Sequence, residues 1–318
     1  MPPHTTPAAG RAPYAPLLVH PGYHKTGTTW FQRRLFIRQF GYRQIMTHEE
    51  VFALLIRPHG LVFDPAPVRR LIESRRSPAG SGLVDVISSE MLSGLPYFGA
   101  RESEQYAQRL RQVAPEARIV ITIREQMRML AAMYMQYIFR SLTLTPRAFF
   151  SNSPTMGYFA FAPEHLEYHR LIKLYRHLFG PDNVHVTNQE TLAREPIKLA
   201  EDLAAFAGVT ANWNPDALVT SPEAPTPHEG VAPILRIINH FRSGPAGLGP
   251  LLNFGPVSAF AYRGCVSLGR SEAIRKLLGE NRPVTREAVR RYRGFYAESN
   301  RELKAMLGDS INLTGYEV

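Results

Sequence analysis

A single cysteine, Cys265, is all that this sequence of 318 residues contains. No disulfide can form within the chain, and a reducing compartment is implied. The thiol reads as a small buried or loop residue rather than a nucleophile. No stretch approaches the roughly 20 apolar residues that a membrane-spanning helix needs. Long basic runs are missing too: arginines come as singles and pairs, among them Arg33-Arg34, Arg69-Arg70, Arg75-Arg76 and Arg290-Arg291. That dispersal weighs against a specific nucleic-acid partner, although 37 Lys and Arg against 27 Asp and Glu give a net charge of +10. A basic balance instead suits an anionic ligand such as a nucleotide, or an anionic surface. Internal repeats are absent. The first 16 residues, rich in Pro, Thr and Ala, lack the apolar core of a signal peptide. The expectation is a flexible N-terminal arm over 1–15, one domain over 16–318, no transmembrane segment and a cytoplasmic location. Length and a hydrophobic content of 44% allow a large core.

What the chain does have is a distinctive start. Leu17-Leu18-Val19-His20 is a short apolar run, Gly22 and Gly27 bracket a turn, and Trp30 to Phe36 carries apolar residues at helical spacing. Strand, glycine turn and helix follow in order. Such a turn points backbone N–H groups at one spot, at the positive end of the helix dipole. Lys25 adds an ammonium, and Thr26, Thr28 and Thr29 add three hydroxyls. The combination is an anion cradle.

Further strands are predicted at Leu83 to Ser88, Ala117 to Ile123 and Asn183 to Thr187. Helices are predicted at Thr47 to Leu55, Pro65 to Ile72, Glu102 to Val113, Met127 to Phe139, Glu164 to Phe179, Pro196 to Ala207 and Thr285 to Leu307. The alternation implies parallel βαβ units: an α/β fold with a doubly wound, mostly parallel sheet flanked by helices. Ligands on such sheets bind at the carboxyl ends of the strands. The lysine turn, Glu90 and Arg124 each follow a predicted strand directly, so all three are expected on one rim. Asn212 to Pro233 holds five prolines and Ser243 to Gly269 is rich in Gly and Pro, so both read as long loops. His165 and His169, one turn apart on a predicted helix, lack a third metal ligand.

The nucleotide P-loop reads G-x-x-x-x-G-K-[ST]. Gly22 and Gly27 keep its glycine spacing, but Thr28 holds the lysine's position and the lysine has moved back to Lys25. That suits a nucleotide with one 5′-phosphate and a transferable group. His24-Lys25-Thr26-Gly27-Thr28-Thr29-Trp30 resembles the 5′-phosphosulfate loop of sulfotransferases, whose donor is 3′-phosphoadenosine 5′-phosphosulfate (PAPS). The resemblance covers most of the chain and is nearest to bacterial members. It implies the P-loop-like sulfotransferase architecture. It also implies that the loop from His24 through Lys25 to Thr29 holds the 5′-phosphate and sulfuryl group, with Trp30 near the adenine.

Val120-Ile121-Thr122-Ile123-Arg124 is similar to that family's 3′-phosphate site, in which an arginine is followed eight positions later by a serine. Arg124 fits, but the eighth position is Ala132, so one phosphate contact is missing or supplied elsewhere. Arg128 reads as a solvated helix residue. Related enzymes place a glutamate or histidine base near Glu90, which makes Lys25 and Glu90 the expected catalytic pair. Arg242 to Gly247 faintly resembles the element R-x-G-x-x-G that closes over the donor. Lys25 and backbone amides supply the positive charge, so no metal is called for. The acceptor is expected to be a small molecule, lipid or carbohydrate bearing a hydroxyl or amine. Aromatic residues between Phe149 and Phe161 and the region 243–269 are where its pocket would lie. The alternatives are a P-loop-type kinase, or a non-catalytic binder of anions or nucleic acid.

Overall fold

The computed structural model describes residues 14–151, 161–210, 214–220, 227–243 and 254–318. Most of the expected N-terminal arm, the centre of the aromatic segment before Phe161, and Gly244 to Gly247 lie outside these residues. Tyr14 bridges Pro78, and the Ala15 amide donates to the Ser77 carbonyl at 2.9 Å.

Five strands form one wholly parallel sheet: β1 Leu17–His20, β2 Tyr42–Gln44, β3 Val84–Ser88, β4 Arg118–Ile123 and β5 Val184–Asn188. Their order is β2-β3-β1-β4-β5. The central strands are apolar on both faces because both are covered. Leu17, Val19, Ile87, Ile119 and Ile121 face one core, packed under helices Pro65–Arg75, Ser103–Val113, Gln126–Phe139 and Tyr168–Phe179. Leu18, Val84, Val86 and Val120 face a second core, built with Phe31, Leu35 and helix Pro196–Ala207. The doubly wound α/β expectation is met. β1 and β4 are neighbours, yet the chain leaves β1 toward β2 and leaves β4 toward β5, on opposite sides. The crevice of such a fold opens at this pair.

Local signals placed many boundaries. Thr47 and Glu50 form a reciprocal capping box, and Gly208 closes its helix at φ 80°. Four expectations are corrected. Edge strand β2 was not anticipated; three residues are too few for an alternation to register. The helix expected over Glu164 to Phe179 is broken at Glu167 (ψ 72°) into a 3₁₀ turn, Pro163–Leu166, and an α-helix from Tyr168. His165 and His169 therefore share no helix: the first packs its ring tilted against Tyr23, centroids 4.8 Å apart, and the second meets Ser299 Oγ at 2.8 Å. The helix expected from Thr285 to Leu307 is two, Pro283–Tyr292 and Ala297–Leu307, separated at Gly294 with φ 76°. The proline-rich C-terminal region carries three unanticipated helices, Ala232–Asn239, Pro256–Arg270 and Glu272–Leu278. Pro233 and Pro256 occupy first-turn positions, where a missing N–H costs nothing.

Candidate functional site

β1 ends at His20, and the chain turns through Pro21 to Gly27 into Thr28–Trp30, continued by a π-helix, Phe31–Leu35. A chain of side-chain hydrogen bonds pins this turn to the sheet. The Thr26 hydroxyl donates to the Tyr23 carbonyl at 2.6 Å. With its one proton so placed, Thr26 Oγ1 accepts from Thr122 Oγ1 at 2.7 Å, and Thr122 in turn accepts from His20 Nε2 at 3.2 Å. His20 is thus the Nε2–H tautomer, and its Nδ1 accepts from Ser88 Oγ at 2.9 Å. Gln32, in the π-helix, donates to the Ser88 carbonyl at 3.1 Å. The chain runs from the segment after the loop, through β3, β1 and β4, and back into the loop. Burial pushes His20 down to about 3, which keeps the ring neutral. A Cβ on Gly22 would strike Thr122 Oγ1 and sit 2.6 Å from His20 Nε2, so only glycine fits over this bridge.

Lys25 is one of three non-glycine residues with positive φ among those described (63°), and Gly27 follows at φ 92°. This left-handed pair curls the backbone so that successive amides converge, the nest geometry that binds anions. Among the described residues, the amides of Lys25, Thr26, Gly27, Thr28 and Thr29 donate to no protein acceptor. Thr28 Oγ1 is buried and also has no partner. Of the three hydroxyls expected in the cradle, Thr26 is therefore spent on the fold, Thr28 is available inside, and Thr29 is exposed.

Arg124 follows β4 and reaches the loop, where Nη1 donates to the Lys25 carbonyl at 3.1 Å. Its Nε is buried and unpartnered. Burial pulls its pKa down, with Glu190 opposing. The Lys25 ammonium makes no hydrogen bond or ion pair among the described residues; burial lowers its pKa first and nearby Arg124 second, with Glu90 raising it. The rim thus holds two desolvated cations and a run of unpaired donors. A buried donor without a partner costs roughly 1–3 kcal/mol, so such a cluster points at an anion.

Glu90 follows β3 and opens the 3₁₀ turn Glu90–Ser93. Its carboxylate is partly exposed and 3.9 Å from His48 Nδ1, which also lies 3.1 Å from Ser89 Oγ. His24 turns from the cradle toward the same side, with Nε2 3.2 Å from the Gly94 carbonyl. Burial drives its pKa to about 4, against the pull of Glu90. Trp30 is buried in the second core and donates from Nε1 to the Val219 carbonyl at 2.9 Å. Lys25, Thr28, Glu90 and Arg124 are thus grouped on one rim. Arg128 is largely exposed and caged only by Glu125 at 3.9 Å, and Ala132 offers no hydroxyl. Sequence reasoning missed His20, Ser88, Thr122 and His48. The first three had a signal: each is a polar residue near the end of an otherwise apolar strand.

No protein-family model matches the chain, and no curated protein matches it. Among solved structures, it is similar to a sulfotransferase from Alicyclobacillus acidocaldarius (22% identity, TM-score 0.45, 85% of this chain and 98% of that one). It is also similar to mouse sulfotransferase SULT7A1 complexed with PAP (14% identity, TM-score 0.38, 93% of this chain and 84% of that one). At these values the functional reading rests on the residues themselves.

Proposed function

We propose that this protein is a sulfotransferase that moves a sulfuryl group from PAPS to a hydroxyl or amine of a small-molecule, lipid or carbohydrate acceptor. One observation carries the reading: unpaired amides from Lys25 to Thr29, the orphaned Thr28 hydroxyl and two cations without bonded carboxylates meet at the β1–β4 crevice. The donor's 5′-phosphosulfate suits the nest, and Arg124 is the group for the 3′-phosphate. Trp30, held by Val219, lies beside the loop where an adenine would be borne. The acceptor oxygen or nitrogen attacks sulfur and the bond from sulfur to the bridging phosphate oxygen breaks. Lys25 neutralises the charge left on that oxygen, and Glu90 takes the acceptor's proton. Fixed donors at the rim supply the positive charge that transfer needs, so these residues require no metal for this step.

The kinase alternative meets an obstacle in Thr28, which stands where the P-loop lysine would be. The test is transfer of radiolabelled sulfuryl from PAPS across an array of phenols, alcohols, amines, lipids and sugars. Labelled product with wild type, lost in Lys25→Ala and Glu90→Gln, is expected. Phosphoryl transfer from ATP–Mg²⁺ with no sulfuryl transfer would replace this reading with the kinase.

A further inference from the structure

Ten large apolar side chains are more than half exposed among the described residues, and seven of them lie between Ile234 and Leu277. Six of these belong to the three C-terminal helices already described, and Phe254 lies just before Pro256. Helix Pro256–Arg270 is the centre. Its inner side sets Tyr262, Cys265 and Val266 on the main core. Its outer side is apolar as well: Val257 is 72% exposed, Phe260 79% and Leu268 58%. At about 100° per residue these three fall on one face, with Ala261 and Gly264 between them. A surface helix ordinarily turns its apolar stripe to the core and polar residues outward; this one sets apolar residues on both sides, with Arg263 and Arg270 between them.

The neighbouring helices extend the pattern. Ala232–Asn239 packs on the central helix and exposes Ile234 and Ile237, one turn apart, and Glu272–Leu278 packs beside it and exposes Leu277. The charge on these helices is nearly all positive. Arg236, Arg263, Arg270, Arg275 and Lys276 face a single acid, Glu272, which Lys276 neutralises at 2.8 Å. Arg263 and Arg270, seven residues apart, line up along one side of the apolar stripe.

We propose that these three helices form a docking surface for an anionic lipid bilayer, with the apolar stripe entering the headgroup boundary and the arginines meeting lipid phosphates. Apolar bulk flanked by basic residues with no free acid is the pattern of an interfacial helix. A second copy is the poorer occupant. Twofold pairing places the same patch on both partners, which brings two surfaces of the same net positive charge together.

The test is flotation of the full chain with two kinds of vesicle, pure phosphatidylcholine and phosphatidylcholine with roughly one third phosphatidylglycerol. Partition at least about tenfold stronger onto the anionic vesicles, falling with added salt, is expected. Phe260→Glu, and separately Arg263→Glu with Arg270→Glu, should each remove at least about tenfold of it. Lys198→Glu, the same charge change outside these helices, should leave it unaltered. Circular dichroism and sedimentation velocity on the same samples check that the variants fold and report self-association. Three results would overturn the proposal: equal binding to both vesicles, equal loss in Lys198→Glu, or no vesicle binding. A dimer that Phe260→Glu dissociates, without vesicle binding, would assign the face to a second copy.

Discussion

Two places in the sheet bury arginine, and they treat it in opposite ways. Near the start of β3, Asp85 is fully buried and accepts from Arg43 Nε at 3.0 Å, the Ser77 amide at 2.6 Å and the Ser77 hydroxyl at 2.8 Å, with Arg76 ion-paired to it at 3.4 Å. Every charge there has its opposite within reach. At the carboxyl ends of β1 and β4, Arg124 and Lys25 are desolvated beside one another with no carboxylate bonded to either. The first arrangement joins edge strand β2 to β3 and closes on itself. The second is incomplete as a piece of architecture, and on the proposed reading a donor's phosphates complete it. Buried cations that carry their own counterion hold a fold together; buried cations without one are set for a ligand.

The sharpest way to break that comparison is Lys25→Ala. Transfer from PAPS should fall by roughly 10²–10³-fold, as on removing one transition-state donor, while the melting temperature holds. Next comes a crossed pair. Arg124→Met should weaken binding of adenosine 3′,5′-bisphosphate (PAP) at least about 30-fold yet leave stability equal or higher, because a buried uncompensated charge is removed. Asp85→Asn should do the reverse, costing about 3 kcal/mol in urea unfolding and leaving PAP affinity unchanged. Loss of stability in the first, or of affinity in the second, would erase the distinction.

A third way works through pH. His20, His24 and His165 are held neutral by burial, at about 3, 4 and 3. Their folded values lie below the unfolded one, so the folded state binds fewer protons. Their stabilising share is complete above about pH 6.5 and is lost as pH falls toward the folded values, by up to about 1.4 kcal/mol per unit for each ring. Denaturant midpoints measured from neutral to weakly acid pH should show more than one proton's slope, reduced by one in His165→Phe. The smallest effect concerns the hydrogen-bond chain under the loop. His20→Gln, whose amide reaches Thr122, should keep PAP affinity within about threefold, whereas His20→Asn, which cannot reach, should lose about tenfold. Calorimetry separates the two.

Much of this was legible in the residues. β4 stood out as the β-branched apolar run of a buried parallel strand, β1, β3 and β5 as shorter runs built on apolar residues, and glycines at 22 and 27 announced a turn that a side chain would obstruct. Lys25, Glu90 and Arg124 followed from a rule of place, each coming directly after a strand. The rest needed three dimensions. That the Thr26 hydroxyl serves the Tyr23 carbonyl, while Thr28 stays unpartnered, depends on the left-handed bend at Lys25, which no propensity signals for lysine. His24 swings to Gly94 because of a loop 70 residues away. The breaks at Glu167 and Gly294 lie inside runs whose periodicity continues across them. Helix Pro256–Arg270 was hidden by Pro256 and its two glycines, which tertiary packing overrode.

The most direct measurement is a calorimetric titration of wild type and Lys25→Ala with PAP and, separately, with ATP–Mg²⁺. The account predicts tight PAP binding, weak ATP binding and a clear loss of PAP affinity in the variant. Equal affinity for both nucleotides, or PAP binding indifferent to Lys25, would contradict the assignment of the β1–β4 crevice to a sulfuryl donor.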